Sequence, residues 1–268
     1  MKNTLLLLFI VAFASCKQAS EKENTTPMPA EEVEAPKQVM EKSYPEPISK
    51  VFEAHGGLET WNTMHTLAFT MEKPNGAEVT TTDLKSRKAH IDMPNHVLGF
   101  DGKAVWLQAK DTTAYKGKPK LYYNLMFYFY AMPFVLSDDG ITYTDVAPLV
   151  YEGVEYPGIQ ISYGAGVGES PEDEYILYYN PGTYQMAWLA YTMTYFTKEK
   201  SKKFNYIKYA NWQDVNGVKL PKSIQWFNVV EGKPVDMRNE VVFSDVSLSK
   251  AKQEASFYET PESAEVVE

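Results

Sequence analysis

The sequence is short of the residues that mark most recognisable chemistries. It holds one cysteine in 268 residues, Cys16, which excludes an internal disulfide and a multi-cysteine metal site. Histidine is almost as scarce, at four. No G-x-S-x-G elbow, H-E-x-x-H pair, P-loop or dinucleotide-binding glycine pattern occurs. Basic residues are outnumbered, 26 against 35 acidic, for a formal net charge of −9. That balance argues against nucleic acid, or an anionic membrane surface, as partner, because both call for clustered Lys and Arg. The one local basic run, "KEKSKK" at 198–203, reads as a solvated hairpin turn. No apolar run approaches the ~20 residues that cross a bilayer as a helix.

What is present begins at the N-terminus. "MKNTLLLLFIVAFASC" places a lysine at position 2, an apolar run from Leu5 to Phe13, small residues Ala14 and Ser15, and then Cys16. This is the layout of an export signal, expected over residues 1–15. "FASC" resembles the lipobox of bacterial lipoproteins, with Phe13 departing from the usual leucine. The resemblance implies cleavage before Cys16 and lipid attachment there, which anchors firmly because each buried CH₂ contributes ~0.8 kcal/mol. Residues 16–43 have no aromatic before Tyr44 and little apolar periodicity, so they read as a lipid-anchored flexible stalk. Residues 259–268 read as a short acidic tail without structure. The folded domain is expected over 44–258.

Within the domain, "PEPISKVFEAH" puts Ile48, Val51, Phe52 and His55 at helical spacing behind prolines, and Gly56–Gly57 stops the run. From Thr66 the period changes to two, with turn pairs such as Asp101–Gly102, Asn216–Gly217 and Glu231–Gly232 between aromatic-rich runs. No ten-residue helical spacer separates these runs, which argues against a parallel βαβ sheet. The expected class is mainly β with a few helices. Its architecture is a curved antiparallel sheet of about ten strands, forming an incomplete β-barrel over helices.

Several stretches in order carry a family resemblance: "FDGKAVW" at 100–106, "YANWQDVNGVKLPKSIQW" at 209–226, and "VVFSDVSLSK" leading to "ASFYETP". They resemble strand–turn elements of the LolA, LolB and LppX-like half-barrel superfamily. Together with "AHGGLETWNTM" and "AMPFVLSDDGITY", they are similar to uncharacterised lipoproteins of Bacteroidetes-type bacteria. The resemblance implies a half-barrel with an apolar hollow for acyl chains, and it implies no catalytic residue.

One segment asks for an explanation. From Leu121 to Leu136 there are sixteen residues without a charge, seven of them aromatic. As a helix it would span ~24 Å, short of the ~30 Å hydrocarbon layer, and Pro133 would interrupt it. Aromatics lie on every side of the helical wheel, so the segment must be covered on both sides. It is either an aromatic core segment or, on the sharper reading, the lining of an acyl-binding cavity through Phe127, Phe129, Met132 and Phe134. Trp106 and Trp188 are candidate lining residues from the strands, although tryptophans at such positions also serve simply as core. Trp212 and Trp226 flank the Asn216–Gly217 turn at a spacing that suggests cross-strand packing. His90, Asp92 and His96 are the nearest approach to a metal set, and ordinary surface polarity explains them better. His55 reads as a helix-end group whose positive charge would suit the dipole. Asp138 and Asp139 read as a turn.

These features imply an envelope lipoprotein that binds or carries an apolar small molecule or lipid, held to the membrane through Cys16. It would be an outer-membrane lipoprotein, with the periplasmic face favoured over the cell surface. A non-catalytic structural or protein-interaction module, with another envelope protein as partner, is the alternative; a hydrolase-type enzyme is the third. No cofactor and no metal are expected.

Overall fold

The computed structural model describes residues 42–164 and 172–267. The export signal, Cys16 and nearly all of the stalk lie outside the described residues. The folded unit is Ser43–Glu268.

The alternating runs become thirteen strands: β1 (Thr66–Lys73), β2 (Gly76–Asp83), β3 (Ala89–Asp92), β4 (His96–Phe100), β5 (Val105–Ala109), β6 (Ile141–Tyr151), β7 (Val154–Tyr163), β8 (Tyr175–Tyr179), β9 (Met186–Tyr191), β10 (Asn205–Val215), β11 (Val218–Val230), β12 (Lys233–Ser249) and β13 (Glu265–Val266). All belong to one antiparallel sheet in the order β13-β5-β4-β3-β2-β1-β12-β11-β10-β9-β8-β7-β6. The sheet curves without closing, so β13 and β6 remain as edges. Connections are tight because the turn residues accept left-handed backbone. Asn216 and Gly217 (φ 54° and 84°) link β10 to β11, and Glu231 and Gly232 (φ 50° and 76°) link β11 to β12. Two successive positive φ angles match the twist of a two-residue hairpin.

Two helices precede the sheet. In α1 (Glu46–Ala54), Ile48, Val51 and Phe52 form one buried stripe, and Pro47 sits in the first turn where no N–H is needed. The helix ends at Gly56, where a Cβ would lie 2.1 Å from the carbonyl oxygen of Gly217. Only glycine permits that approach, and it lets Lys219 N–H donate to the His55 carbonyl at 2.9 Å. The second helix, α2 (Leu58–Asn62), buries Trp61.

The strand pairings sort side chains between two faces. Leu67, Phe69 and Met71 of β1, Leu177 of β8, Leu189 and Tyr191 of β9, Ile207 and Tyr209 of β10 and Ile224 of β11 share the main core with α1 and α2. This is the inner face. On the outer face a second cluster gathers Tyr178, Trp188, Ala190, Tyr206 and Phe227, and Tyr151 closes over it with its ring 4.7 Å from Trp188. The "KEKSKK" run is an exposed connection between β9 and β10.

The segment 259–268, expected to lack structure, instead supplies β13. Glu265 and Val266 pair with Leu107 and Trp106, and Val267 N–H donates to Val105 O at 2.9 Å. The open edge of β5 offers unpaired backbone groups, and Val267 packs beside Val105. Trp212 and Trp226 do not face each other: Trp212 lies opposite Pro221, and Trp226 opposite Ile207. The turn at 216–217 fixes that register.

Candidate functional site

The uncharged segment lies on the inner face of the sheet. Pro119 starts α3 (Pro119–Tyr122), α4 follows over Leu125–Tyr130, and a 3₁₀ turn covers Phe134–Ser137. Pro133, which has no N–H to continue a helix, stands between the last two. These three short pieces form a cover that lies across the curved sheet.

Its aromatic side chains are buried in different directions. The Phe127 ring lies under the Arg87 guanidinium, 5.2 Å from its centre. Phe129 meets Tyr191 at 5.1 Å and Trp226 at 6.1 Å. Tyr130 meets Phe69 and Phe243 at 4.4 and 4.3 Å. Phe134 stacks on Trp61 at 4.6 Å, with the planes 9° apart. Met132 is also fully enclosed. Four of the expected lining residues, Phe127, Phe129, Met132 and Phe134, therefore come together between cover and sheet.

The two tryptophans do not join them. Trp188 belongs to the outer-face cluster, opposite to its neighbour Leu189. Trp106 also points away from the cover, over Gly99, where a Cβ would sit 2.2 Å from the indole. Its Nε1 donates to Tyr258 O at 3.4 Å, and the 3₁₀ turn Ala255–Tyr258 covers it. Both are packing residues of the outer face.

Polar ties fasten the cover. Tyr209 Oη donates to Phe129 O at 2.7 Å, Tyr143 Oη to Leu136 O at 2.5 Å, and Tyr44 Oη to Ser137 O at 3.1 Å. Tyr122 Oη donates to Glu78 Oε1 at 2.7 Å and accepts from Lys73 Nζ at 2.9 Å. Burial and the Glu78 carboxylate push the Tyr122 hydroxyl far above its usual range, so it stays a donor. Arg87 Nη2 pairs with Asp138 Oδ1 at 2.7 Å. Asp138 and Asp139 thus sit at a turn, and Asp138 also closes one end of the cover.

The histidines do not converge. His55 is completely buried, and its Nε2 accepts from Met186 N–H at 2.9 Å. Desolvation holds it down to about 4 from 6.5, so this side chain is neutral, and the expected helix-end cation is not found. Packing against Trp212 at 4.2 Å outweighs the helix dipole. His90 lies against Phe257, Asp92 pairs with Lys110, and His96 meets Tyr115. Among the described residues no three His, Cys, Asp or Glu side chains come together.

Fold and site together define a half-barrel whose apolar inner face is closed by a short aromatic cover. The chain belongs to a family of unknown function, DUF6503, whose model matches residues 77–241. No curated protein matches the sequence. Among solved structures, similar ones include a LolA superfamily protein from Nitrosomonas europaea, at 8% identity and TM-score 0.44, covering 74% of this chain and 89% of that one. A DUF1329 family protein from Desulfovibrio piger is similar at 7% identity and TM-score 0.43, covering 80% of this chain and 98% of its own.

Proposed function

We propose that the protein is an envelope lipoprotein that binds or carries an apolar ligand, a lipid or a lipoprotein acyl chain, between the inner face of its half-barrel and the aromatic cover. One observation carries this reading. Short-range backbone hydrogen bonds fold the cover on itself, among them Tyr122 N–H to Lys118 O at 3.0 Å, Tyr128 N–H to Asn124 O at 3.0 Å, Ala131 N–H to Phe127 O at 2.8 Å and Leu136 N–H to Pro133 O at 2.9 Å, while tyrosine side chains of the strands tie it to the sheet. Side-chain packing and a few side-chain hydrogen bonds hold it in place. A segment tied this way can lift as a unit while keeping its own backbone bonds.

An acyl chain could then take over the apolar contacts that the cover makes, at ~0.8 kcal/mol per buried CH₂. Phe127, Phe129, Met132 and Phe134 would be the cover's side of that site. Export and a lipid on Cys16 belong to the same reading, as does a place at the periplasmic side of the outer membrane. A second reading, a protein-interaction module, draws on the exposed Val235, Met237 and Val242 of β12.

Titration with a fluorescent fatty acid tests the first reading. Saturable binding to the wild-type domain is expected, and Phe129→Ala should weaken it. Its stability cost should fall short of the ~3–5 kcal/mol of a fixed core phenylalanine, because the cover can resettle. No saturable binding, together with a full core-type loss of stability, would leave the interaction module as the better account.

A further inference from the structure

We propose that the inner face carries a head-group site for a monovalent carboxylate, built around Arg87 and Thr82, so that the apolar ligand is a fatty-acid-like amphiphile bound acid end first. The inference rests on the apolar-ligand reading above and gives its ligand a chemical class.

A cleft of about 50 Å³ opens beside the cover, lined by Thr82, Arg87, Tyr123, Asn124, Phe127 and Tyr128. A single water needs roughly 10–15 Å³ by this measure, so the space suits a group of a few heavy atoms, such as a carboxylate. Two polar atoms at the cleft are buried without a hydrogen-bond partner in the protein: Arg87 Nη1 and Thr82 Oγ1. Thr80 Oγ1, two residues away on the same face of β2, is in the same condition. Buried donors are normally satisfied, and here Arg87 Nη1 and Thr82 Oγ1 both belong to residues lining one cleft.

The guanidinium is fixed in advance. Asp83 Oδ1 accepts from Lys85 N–H, Ser86 N–H and Ser86 Oγ at 2.7–3.0 Å, and its carbonyl accepts from Arg87 N–H at 2.8 Å. This tight turn holds Arg87 at φ 60°, a conformation rare for a residue with a side chain. Asp138 takes Nη2, the Phe127 ring supports one face of the plane, and Nη1 remains for a second acceptor. A guanidinium that already shares its charge with one carboxylate suits a monoanion better than a doubly charged phosphate. The aromatic wall of the cleft belongs to the cover, so an apolar stem attached to the carboxylate would continue beneath α4.

Calorimetric titration with dodecanoate and with methyl dodecanoate at pH 8 separates head from chain. The wild type should bind the acid about ten-fold more tightly than the ester or better, the worth of a charge-assisted hydrogen bond. Arg87→Gln should remove that preference and leave ester binding unchanged, and Thr82→Val should reduce it. Because Arg87→Gln also breaks the tie to Asp138, Asp138→Ala serves as the comparison: it loses the tie and should keep the preference for the acid. Equal binding of acid and ester to the wild type, or an acid preference that survives Arg87→Gln, would overturn the head-group site while the apolar reading stands. Failure of both ligands to bind would overturn both.

Discussion

Acidification should destabilise this protein through His55. Its imidazole lies within 4.2 Å of the Trp212 ring and 6.5 Å of Phe134, and Nε2 already accepts the Met186 N–H. Protonation would break that hydrogen bond and leave a cation in an apolar enclosure. Burial therefore lowers its pKa to about 4, against 6.5 for an exposed histidine. Between those two values the unfolded chain takes up a proton that the folded chain refuses, so stability falls as the pH falls. The loss begins near pH 6.5 and levels off below about 4. At ~1.4 kcal/mol per pH unit, that span amounts to ~3 kcal/mol. Urea denaturation at pH 7, 6, 5 and 4 on the wild type and on His55→Gln reads it directly. The glutamine variant should be less stable at pH 7, having lost the fitted ring, and its stability should decline less steeply towards pH 4. Parallel curves for the two proteins would refute the reasoning and move the acid sensitivity elsewhere.

Phe134→Ala removes a fully buried ring stacked on Trp61, at the anchored end of the cover. It should cost ~3–5 kcal/mol in urea denaturation, and a loss under ~1 kcal/mol would show that this end of the cover is not packed as described. Cys16→Ser should move the protein from the membrane to the soluble periplasmic fraction without changing the melting temperature of the folded unit. Continued membrane association of the serine variant would defeat the lipid-anchor reading.

The fold was legible where one physical rule dominates. Asn216–Gly217 and Glu231–Gly232 read as hairpin turns because few other pairs accept two positive φ angles, and both are found there. Burial of 121–136 followed from its lack of charge, and its break from Pro133. Side-chain direction was harder to read. "MAWLAY" and "KAVWLQA" are apolar on both faces, so alternation could not tell that Trp188 and Trp106 point outward. The sheet has apolar cover on both sides at these strands, supplied by Tyr151 and by residues 255–258, which are distant in sequence. At His55 a helix end suggests a cation, whereas the docking of that end on the β10–β11 turn excludes water. Arg87 could not be picked out at all: its partner Asp138 lies 51 residues away, and its unpartnered Nη1 exists only once cover and sheet are assembled.

Hydrogen–deuterium exchange on the folded unit tests the exchangeable cover most directly. If the cover opens as a unit, the amides of Tyr128 in α4 and of Ala131 just after it, which bond within the cover, should exchange by local opening, well before those of β10 and β11. Saturating dodecanoate should change protection in this segment and leave the β10–β11 pairing as it was. Exchange of the cover only with global unfolding, at the same free energy as β10 and β11 and unaffected by the fatty acid, would contradict the account and make the segment a permanent part of the core.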